Sequence, residues 1–217
     1  MPIVAEPVHC ARTGLDPRAA AAWRHDTTGR TDPMALKSTI CKAEIAVADI
    51  DRGYYADHTL TIARHPSETD ERMMVRVLAF ALHAHADLAF GRGLSTDDEP
   101  DLRRRDLTGA IEQWIDVGLP GERELRKACG RAREVHVLAY GGRAVDLWWN
   151  AARDGLARLE RLAVREVPGD ASRALSRLAD RSMRLQVTIQ DAHVLVTDGD
   201  VTVTVELREL KAMTVRG

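Results

Sequence analysis

Residues 110–142 read AIEQWIDVGLPGERELRKACGRAREVHVLAYGG and give the clearest indication of the fold class. They contain a predicted strand over 110–117, a predicted helix over 122–133 and a nearly unbroken apolar run over 135–140. Such a run is typical of a strand that is covered on both faces. The order strand, helix, strand therefore predicts an α/β fold, in which helices flank a mixed sheet.

Segments typical of strands lie on both sides of this stretch. Residues 36–47 and 59–64 are rich in Thr, Ile, Val and Leu and flank a turn-like segment at 49–53, which predicts a β-hairpin. Near the C terminus, apolar alternation over 185–207 with a turn at Asp198-Gly199 predicts a second hairpin. We expect one central mixed β-sheet flanked by helices, with a hairpin added at each end.

Two predicted helices place large apolar side chains in the core. The first follows the first hairpin, where Pro66-Ser67 and Asp70 resemble a capping box. A later helix carries Trp148 and Trp149 among apolar residues at helical spacing, which favours core positions over stacking on nucleic-acid bases.

Residues 1–33 differ in composition from the remainder of the chain. They hold four of the eight prolines and lack an apolar period longer than one turn. We expect a disordered extension over 1–33 that precedes a single domain over 34–217, with Met34 as the natural start.

The composition excludes several classes of function. The chain has 31 Lys+Arg against 33 Asp+Glu, and a net charge of -2 argues against a protein that coats nucleic acid by charge alone. Three cysteines without CxxC spacing exclude a disulfide framework and a zinc knuckle. No apolar run is long enough to span a membrane. These features predict a cytoplasmic protein, and any contact with nucleic acid must be local.

The segment Asp97-Asp98-Glu99-Pro100-Asp101 holds four carboxylates within five residues. Crowded carboxylates raise one another's pKa unless a cation neutralises them or water solvates them. Carboxylate oxygens suit Mg²⁺, which takes one or two protein ligands and keeps several waters. The alternative is a solvated acidic loop.

The predicted strand at 111–117 adds two more acids. Alternation places Glu112, Trp114 and Asp116 on one face of that strand. If this face meets the acidic segment, three or more carboxylates converge, as in metal sites that hydrolyse phosphodiesters. If this face of the strand is only the solvent-exposed side of the sheet, its acids carry no function.

Six stretches together resemble one family. They are MALKSTICKAEIAVADIDRGYY (34–55), HPSETDERMMVRVLAFAL (65–82), GLSTDDEPDL (93–102), IEQWIDVGLP (111–120), RKACGRA (126–132) and RAVDLWW (143–149). They are similar to the YaeQ family from Met34 almost to the C terminus. The resemblance implies a compact variation on the fold of the PD-(D/E)XK nucleases, with a biochemical function that is unsettled.

The resemblance also implies a set of site residues. In the nuclease superfamily an acid on one strand and a (D/E)xK pair on the next surround one or two Mg²⁺ ions. By position, Asp101 resembles the first motif, with Asp98 and Glu99 as neighbours able to replace it. Asp116-Val117-Gly118 resembles the second motif, and Glu71 resembles a helix acid that sometimes joins the site.

Gly118 stands where the superfamily has a lysine. Some members carry that lysine on the following helix, where Lys127 is the candidate. Lys127 lies, however, opposite the apolar stripe of this helix, which predicts that its side chain faces solvent.

Two other groups of polar residues carry weaker indications. The run from Arg103 to Arg105 could contact phosphates, but a solvated charge run is the more common explanation. His83 and His85 lie two positions apart on a predicted helix, so they do not share a face and are poor partners for one metal.

These observations lead to two hypotheses for the function. The first is a Mg²⁺-dependent protein that hydrolyses phosphodiesters of nucleic acid, with four carboxylates on the metal and three assisting residues. The metal ligands are Asp98, Glu99, Asp101 and Asp116, and the assisting residues are Glu112, Glu71 and Lys127. The alternative is a protein that kept the scaffold, lost turnover with the lysine, and acts as a regulatory or nucleic-acid-associated binding module.

Overall fold

The structure, a computed structural model, describes residues 38–91 and 99–214, and these form two β-sheets and four α-helices. The predicted α/β class is confirmed, but two mixed sheets take the place of the single central sheet that was expected. A 3₁₀ turn (Ser176–Leu178) follows the last helix. In chain order the elements are β1 (Thr39–Asp49), β2 (Tyr54–Arg64), α1 (Asp70–Leu82), β3 (Leu88–Phe90), β4 (Leu102–Arg105), β5 (Ile111–Val117), α2 (Glu122–Arg131), β6 (Ala132–Ala139), α3 (Arg143–Leu156), β7 (Leu162–Glu166), α4 (Gly169–Leu175), β8 (Ser182–Gln190), β9 (His193–Thr197), β10 (Thr202–Glu206) and β11 (Arg208–Lys211).

The two predicted hairpins join each other and form the first sheet, in the order β10-β9-β8-β1-β2. β1 is antiparallel to β2 and parallel to β8, so the N-terminal and C-terminal strands meet in the middle of this sheet. Every second residue of β1 from Cys41 to Asp49 is buried, and the residues between them face outward. The hairpins therefore build a sheet of their own because β1 pairs with β8.

The central strand, helix, strand pattern forms the second sheet, in the order β11-β7-β6-β5-β4-β3. β5, β6 and β7 are parallel, and α2 and α3 make the connections between them. The predicted order of strand, helix and strand is confirmed for β5, α2 and β6. α2 ends at Arg131, and β6 begins at Ala132 because Ala132 already pairs with Ile111 of β5. The predicted helix end at 133 and strand start at 135 are therefore wrong by a few residues.

β4 corrects the expectation of a solvated arginine run. Leu102 is wholly buried and anchors the strand, and Arg103 pairs with Trp114 of β5. The three arginines therefore belong to the second sheet, although their side chains remain partly exposed.

Helix α1 contacts strands of both sheets, and every residue from Met73 to Leu82 is buried. Thr69 is the N-cap of the helix, and its Oγ1 accepts a hydrogen bond from the backbone N–H of Arg72 at 3.1 Å. The capping box expected at Ser67 is therefore wrong by two residues, while the helix itself is confirmed.

The turn expected at Asp198-Gly199 is longer than two residues. Thr197 pairs with Thr202, which leaves a four-residue connection between β9 and β10. Asp198 Oδ1 accepts hydrogen bonds from the N–H groups of Asp200 and Val201 and closes this loop.

No helix within 38–91 or 99–214 is long and apolar enough to cross a membrane. The expected extension over 1–33 and the proposed start at Met34 lie outside the described residues.

Candidate active-site cleft

Asp101 and Asp116 lie opposite each other where β4 and β5 meet. The antiparallel register pairs Leu102 with Ile115, and Asp101 directly precedes β4, so a continuation of this register places Asp101 opposite Asp116. Burial is the largest cause of the raised pKa of Asp116, and the negative charge of Asp101 raises it further, while a hydrogen bond from the Asp101 backbone opposes the shift; the two residues are therefore close neighbours. The register of two neighbouring strands thus brings together the two acids of the expected motifs.

A cleft of about 320 Å³ opens beside this pair of acids. Charged and aromatic side chains from α1, β5, α2 and the end of β6 line it, together with the turn that follows β5. We call it the central cleft, and its lining residues are Arg72, Glu99, Trp114, Asp116, Val117, Gly118, Leu119, Pro120, Glu124 and Tyr140.

Asp101 is buried beneath the wall of the central cleft, with 2% of its surface exposed. Its Oδ1 accepts a hydrogen bond from Arg72 Nη2 at 2.7 Å, and its Oδ2 accepts one from the backbone N–H of Val117 at 2.8 Å. The N–H of Gly91 donates to the backbone oxygen of Asp101 at 2.7 Å. A Cβ at position 91 would lie 2.1 Å from the backbone oxygen of Pro100, so only glycine fits against this segment.

Behind Asp101 lies a buried network of charges that the sequence did not reveal. Arg76 is wholly buried, and its Nη1 lies 3.1 Å from both carboxylate oxygens of Glu68. Arg72 donates to Glu68 at 2.9 Å as well as to Asp101, so it bridges the two acids. The available signal was the spacing of Arg72 and Arg76, which lie four apart on one face of α1, with Glu68 just before the helix.

Asp116 has a pKa raised to about 7. Burial of the carboxyl group is the largest cause, and the negative charges of Asp101 and Glu124 add to it. Trp114 opposes the shift, because its Nε1–H donates a hydrogen bond to Asp116 Oδ2 at 2.8 Å. A carboxyl group that titrates near neutral pH inside a cleft is typical of a functional site.

Glu99 and Glu71 lie at the margins of this arrangement. Glu99 lines the central cleft and forms an ion pair with Arg103 at 3.0 Å. Glu71 accepts a hydrogen bond from Ser172 Oγ at 2.6 Å. Burial raises the pKa of the Tyr140 hydroxyl, and the positive charge of Arg72 opposes that shift. The negative charge of Glu71 raises the pKa further, so Glu71 lies close enough to Tyr140 in the cleft wall to interact with it electrostatically.

Glu112 and Lys127 are not among the residues that line the central cleft. Arg104 pairs with Gln113 but Arg105 pairs with Ile111, so a register shift at Glu112 interrupts the expected alternation. Glu112 Oε2 instead lies 3.0 Å from Arg104 Nε. Lys127 is exposed on α2, as the helical pattern predicted. The structure therefore does not bring Glu112 together with Asp116.

Asp98, the remaining expected metal ligand, lies outside the described residues. Within the two described segments, no three His, Cys, Asp or Glu side chains are arranged to hold one metal ion.

Comparison with known proteins supports the resemblance seen in the sequence. The family model described as "YaeQ protein" matches residues 34–207. The "Uncharacterized protein YaeQ" of Salmonella typhi is 44% identical over 174 residues, which cover 80% of this chain and 96% of that protein. The protein of the same description from Escherichia coli (strain K12) is 45% identical over 165 residues, which cover 76% of this chain and 91% of that protein.

Two solved structures have a similar fold. The crystal structure of YaeQ protein from Xanthomonas axonopodis pv. citri gives a TM-score of 0.78 at 50% identity and covers 81% of this chain and 99% of that one. The crystal structure of YaeQ protein from Pseudomonas syringae gives a TM-score of 0.77 at 38% identity and covers 81% of this chain and 97% of that one. The architecture of two mixed sheets with flanking helices is therefore similar to that of experimental structures.

Proposed function

Since this chain belongs to the YaeQ family, we propose that its central cleft hydrolyses phosphodiester bonds of nucleic acid with the help of a divalent cation. The proposal treats the second sheet as a variation on the PD-(D/E)XK nuclease core. The observation that carries it is the direct opposition of Asp101 and Asp116 beside a cleft, with the pKa of Asp116 at about 7.

The donor set fits a hard cation of the Mg²⁺ type. Asp116, Glu99 and Glu124 supply carboxylate oxygens to the cleft, and Asp101 lies directly behind Asp116. Each oxygen of a carboxylate has two lone pairs, so Asp101 can accept its hydrogen bonds from Arg72 and Val117 and still offer an oxygen to a cation. Asp101 and Asp116 would hold the cation, which when bound supplies an activated water for attack on phosphorus.

Among the described residues, Arg72 is well placed to supply the positive charge that Gly118 lacks. It lines the central cleft and is fixed by Glu68 and Asp101. A guanidinium remains protonated at all physiological pH values, so Arg72 would orient a phosphate and stabilise developing charge, and would not accept a proton from water.

The same contact supports a second candidate function, a binding module without turnover. Arg72 neutralises Asp101 through an ion pair, and neither position 118, a glycine, nor Lys127 places a lysine in the cleft. In that case Arg72 and Tyr140 would contact a phosphate group, and the acids would serve only to hold Arg72.

Thermal unfolding with and without millimolar Mn²⁺ or Mg²⁺ separates these functions. A ligand at 100 times its dissociation constant stabilises the folded state by roughly 2.7 kcal/mol. We expect such a shift for the wild type, its loss in Asp116→Asn, and its retention in Glu112→Gln, which removes a carboxylate outside the cleft. The absence of any shift in the wild type, or an equal shift in Asp116→Asn, would reject the metal site.

A nuclease assay on single-stranded, duplex and structured DNA and RNA tests turnover directly. We expect metal-dependent cleavage that Asp101→Asn and Asp116→Asn both abolish while Glu112→Gln retains it. Metal binding without cleavage of any of these substrates would favour the binding module.

A further inference from the structure

A second cavity, of about 360 Å³, lies at the C-terminal end of α1, whereas the central cleft lies beside its N-terminal half. We call it the His83 cavity. The ends of β1 and α1, the starts of β5 and β9, and strands β7 and β11 contribute to its wall. The residues that concern the argument are Arg52, His83, Gln113, Arg165 and Ala192.

His83 lines this cavity and is only 9% exposed. Its ring packs against His136 with centroids 4.3 Å apart, and it forms no hydrogen bond through its ring nitrogens to any residue in the described segments. The ring nitrogens of His83 are not fully enclosed by protein atoms, so they can form a hydrogen bond with a ligand in the cavity.

Gln113 lines the same cavity and has an acceptor without a donor. Its Nε2 donates to Glu134 Oε2 at 3.0 Å, and a carboxylate can only accept, so the orientation of the amide is fixed. Gln113 Oε1 is buried and has no hydrogen-bond donor among the described residues. A ligand that satisfies it must carry an N–H or O–H group.

Arg165 contributes a positive charge to the wall of the cavity. It lies on β7, lines the cavity, and makes no ion pair or side-chain hydrogen bond within residues 38–91 and 99–214. Glu209 is its strand partner in β11 but does not form an ion pair with it. A half-buried guanidinium of this kind is well suited to an oxyanion.

The electrostatic surroundings of His83 agree with an anionic ligand. The pKa of His83 lies well below its usual range, first because of burial and then because of the positive charges of His136, Arg165, Arg52 and Arg104.

Two of the three acids of the cavity wall are already engaged at the turns. Asp49 forms an ion pair with Arg52 at 2.5 Å, and Asp51 accepts a hydrogen bond from the N–H of Asp191 at 3.0 Å. The third acid, Glu209, lies opposite Arg165 in the strand register without an ion pair, so an oxyanion ligand would compete with Glu209 for this guanidinium.

We propose that the His83 cavity binds a small molecule that carries an oxyanion, either a phosphate or a carboxylate, together with a hydrogen-bond donor. The oxyanion lies against Arg165, the donor binds Gln113 Oε1, and His83 supplies a further hydrogen bond. A volume of about 360 Å³ suits a small metabolite. This site is separate from the central cleft and does not depend on the proposed hydrolysis.

The test uses the full chain and follows the imidazole signals of His83 by NMR, assigned through their loss in His83→Gln. The probes are O-phosphoethanolamine, inorganic phosphate and serine, each at up to millimolar concentration. We expect saturable shifts of the His83 signals with at least one amine-bearing probe, and a weaker response to inorganic phosphate. Stronger binding of phosphoethanolamine than of serine identifies a phosphate ligand, and the reverse identifies a carboxylate.

Variants decide whether such shifts come from the proposed contacts. Arg165→Gln should weaken binding at least tenfold, and Gln113→Leu should weaken the amine-bearing probes more than inorganic phosphate. Arg184→Gln, on the outer face of the first sheet, is the control and should bind as the wild type does. An absence of saturable shifts in the wild type, or equal shifts in Arg165→Gln, would overturn the proposal.

Discussion

Asp116 differs from an ordinary surface acid because the folded state favours its protonated form. Its pKa rises from 3.8 to about 7 on folding, so the unfolded chain gives up the proton first as pH increases. The contribution of Asp116 to stability therefore falls between about pH 4 and about pH 7 and stays constant above that range. At one pKa unit per 1.36 kcal/mol, the loss is about 4 kcal/mol at most.

We predict that Asp116→Asn stabilises the protein at about pH 8 and has much less effect at about pH 4, because the amide is neutral at both pH values. The amide oxygen can still accept the hydrogen bond from Trp114. Urea unfolding at the two pH values measures the difference in free energy. Asp154→Asn, at a side chain that is 96% exposed, is the control and should show no such pH dependence. Equal effects of Asp116→Asn at both pH values would show that the pKa is not raised.

Ala192 carries backbone strain at the wall of the His83 cavity. Its φ is +64°, in the left-handed region that an alanine adopts only at a cost of roughly 1–2 kcal/mol. We predict that Ala192→Gly stabilises the folded state by about 0.5–1 kcal/mol, after the greater freedom of glycine in the unfolded chain is subtracted. Ala56→Gly, in the regular strand β2, should instead destabilise the protein. Thermal unfolding of the two variants compares these effects, and a loss of stability in Ala192→Gly would contradict the account.

At the scale of single elements, the sequence predicts a helix or strand well where apolar residues recur at a regular spacing, and poorly where they do not. β5 and α1 could be predicted because apolar residues recur at strand or helix spacing in both. β4 could not, because three of its four residues are arginines and pairing with β5, not hydrophobicity, makes it a strand.

The candidate site shows the same limit. Asp101 and Asp116 were expected from the family resemblance, and the strand register then placed them opposite each other. Glu112 was expected on the same face as Asp116. A register shift between β4 and β5 at Glu112 interrupts the alternation of side chains, and the spacing of residues in the sequence does not reveal such a shift. Arg72 and Arg76 were missed because a pattern of hydrophobicity assigns charged residues to the surface, and only tertiary contacts bury them.

Helix α1 holds the site through its buried arginines, which provides a test at the level of this element. Methionine in Arg76→Met fills a similar volume but removes one of the positive charges that neutralise the buried carboxylate of Glu68. Breaking a buried ion pair in this way typically costs about 3–5 kcal/mol of folding free energy. We predict a loss of stability of that order in urea unfolding. The double variant Arg76→Met with Glu68→Gln should recover part of the loss, because the uncompensated charge is removed. A double variant no more stable than Arg76→Met would show that packing, and not charge, is responsible.

At the scale of the whole molecule, the first sheet depends on strands from both ends of the chain. β1 runs parallel to β8, and Met183, Leu185, Val187 and Ile189 of β8 are buried in the core between the sheets. This pairing joins residues more than a hundred positions apart, since Lys42 lies opposite Ser182. The first sheet can therefore form only after most of the chain is available.

We predict that a chain that ends before β8, at residue 181, does not unfold cooperatively. It would expose the buried face of β1 and lose one of the two strands that pair with it. Deletion of residues 1–33, which lack an apolar period longer than one turn, should leave the unfolding transition unchanged. Circular dichroism during thermal unfolding, with analytical ultracentrifugation to detect aggregation, measures both variants. A cooperative transition in the chain that ends at 181 would contradict this prediction, because it would mean that the second sheet folds without a complete first sheet. In that case, contacts with the second sheet alone would be enough to position α1 and the ion pair between Arg72 and Asp101.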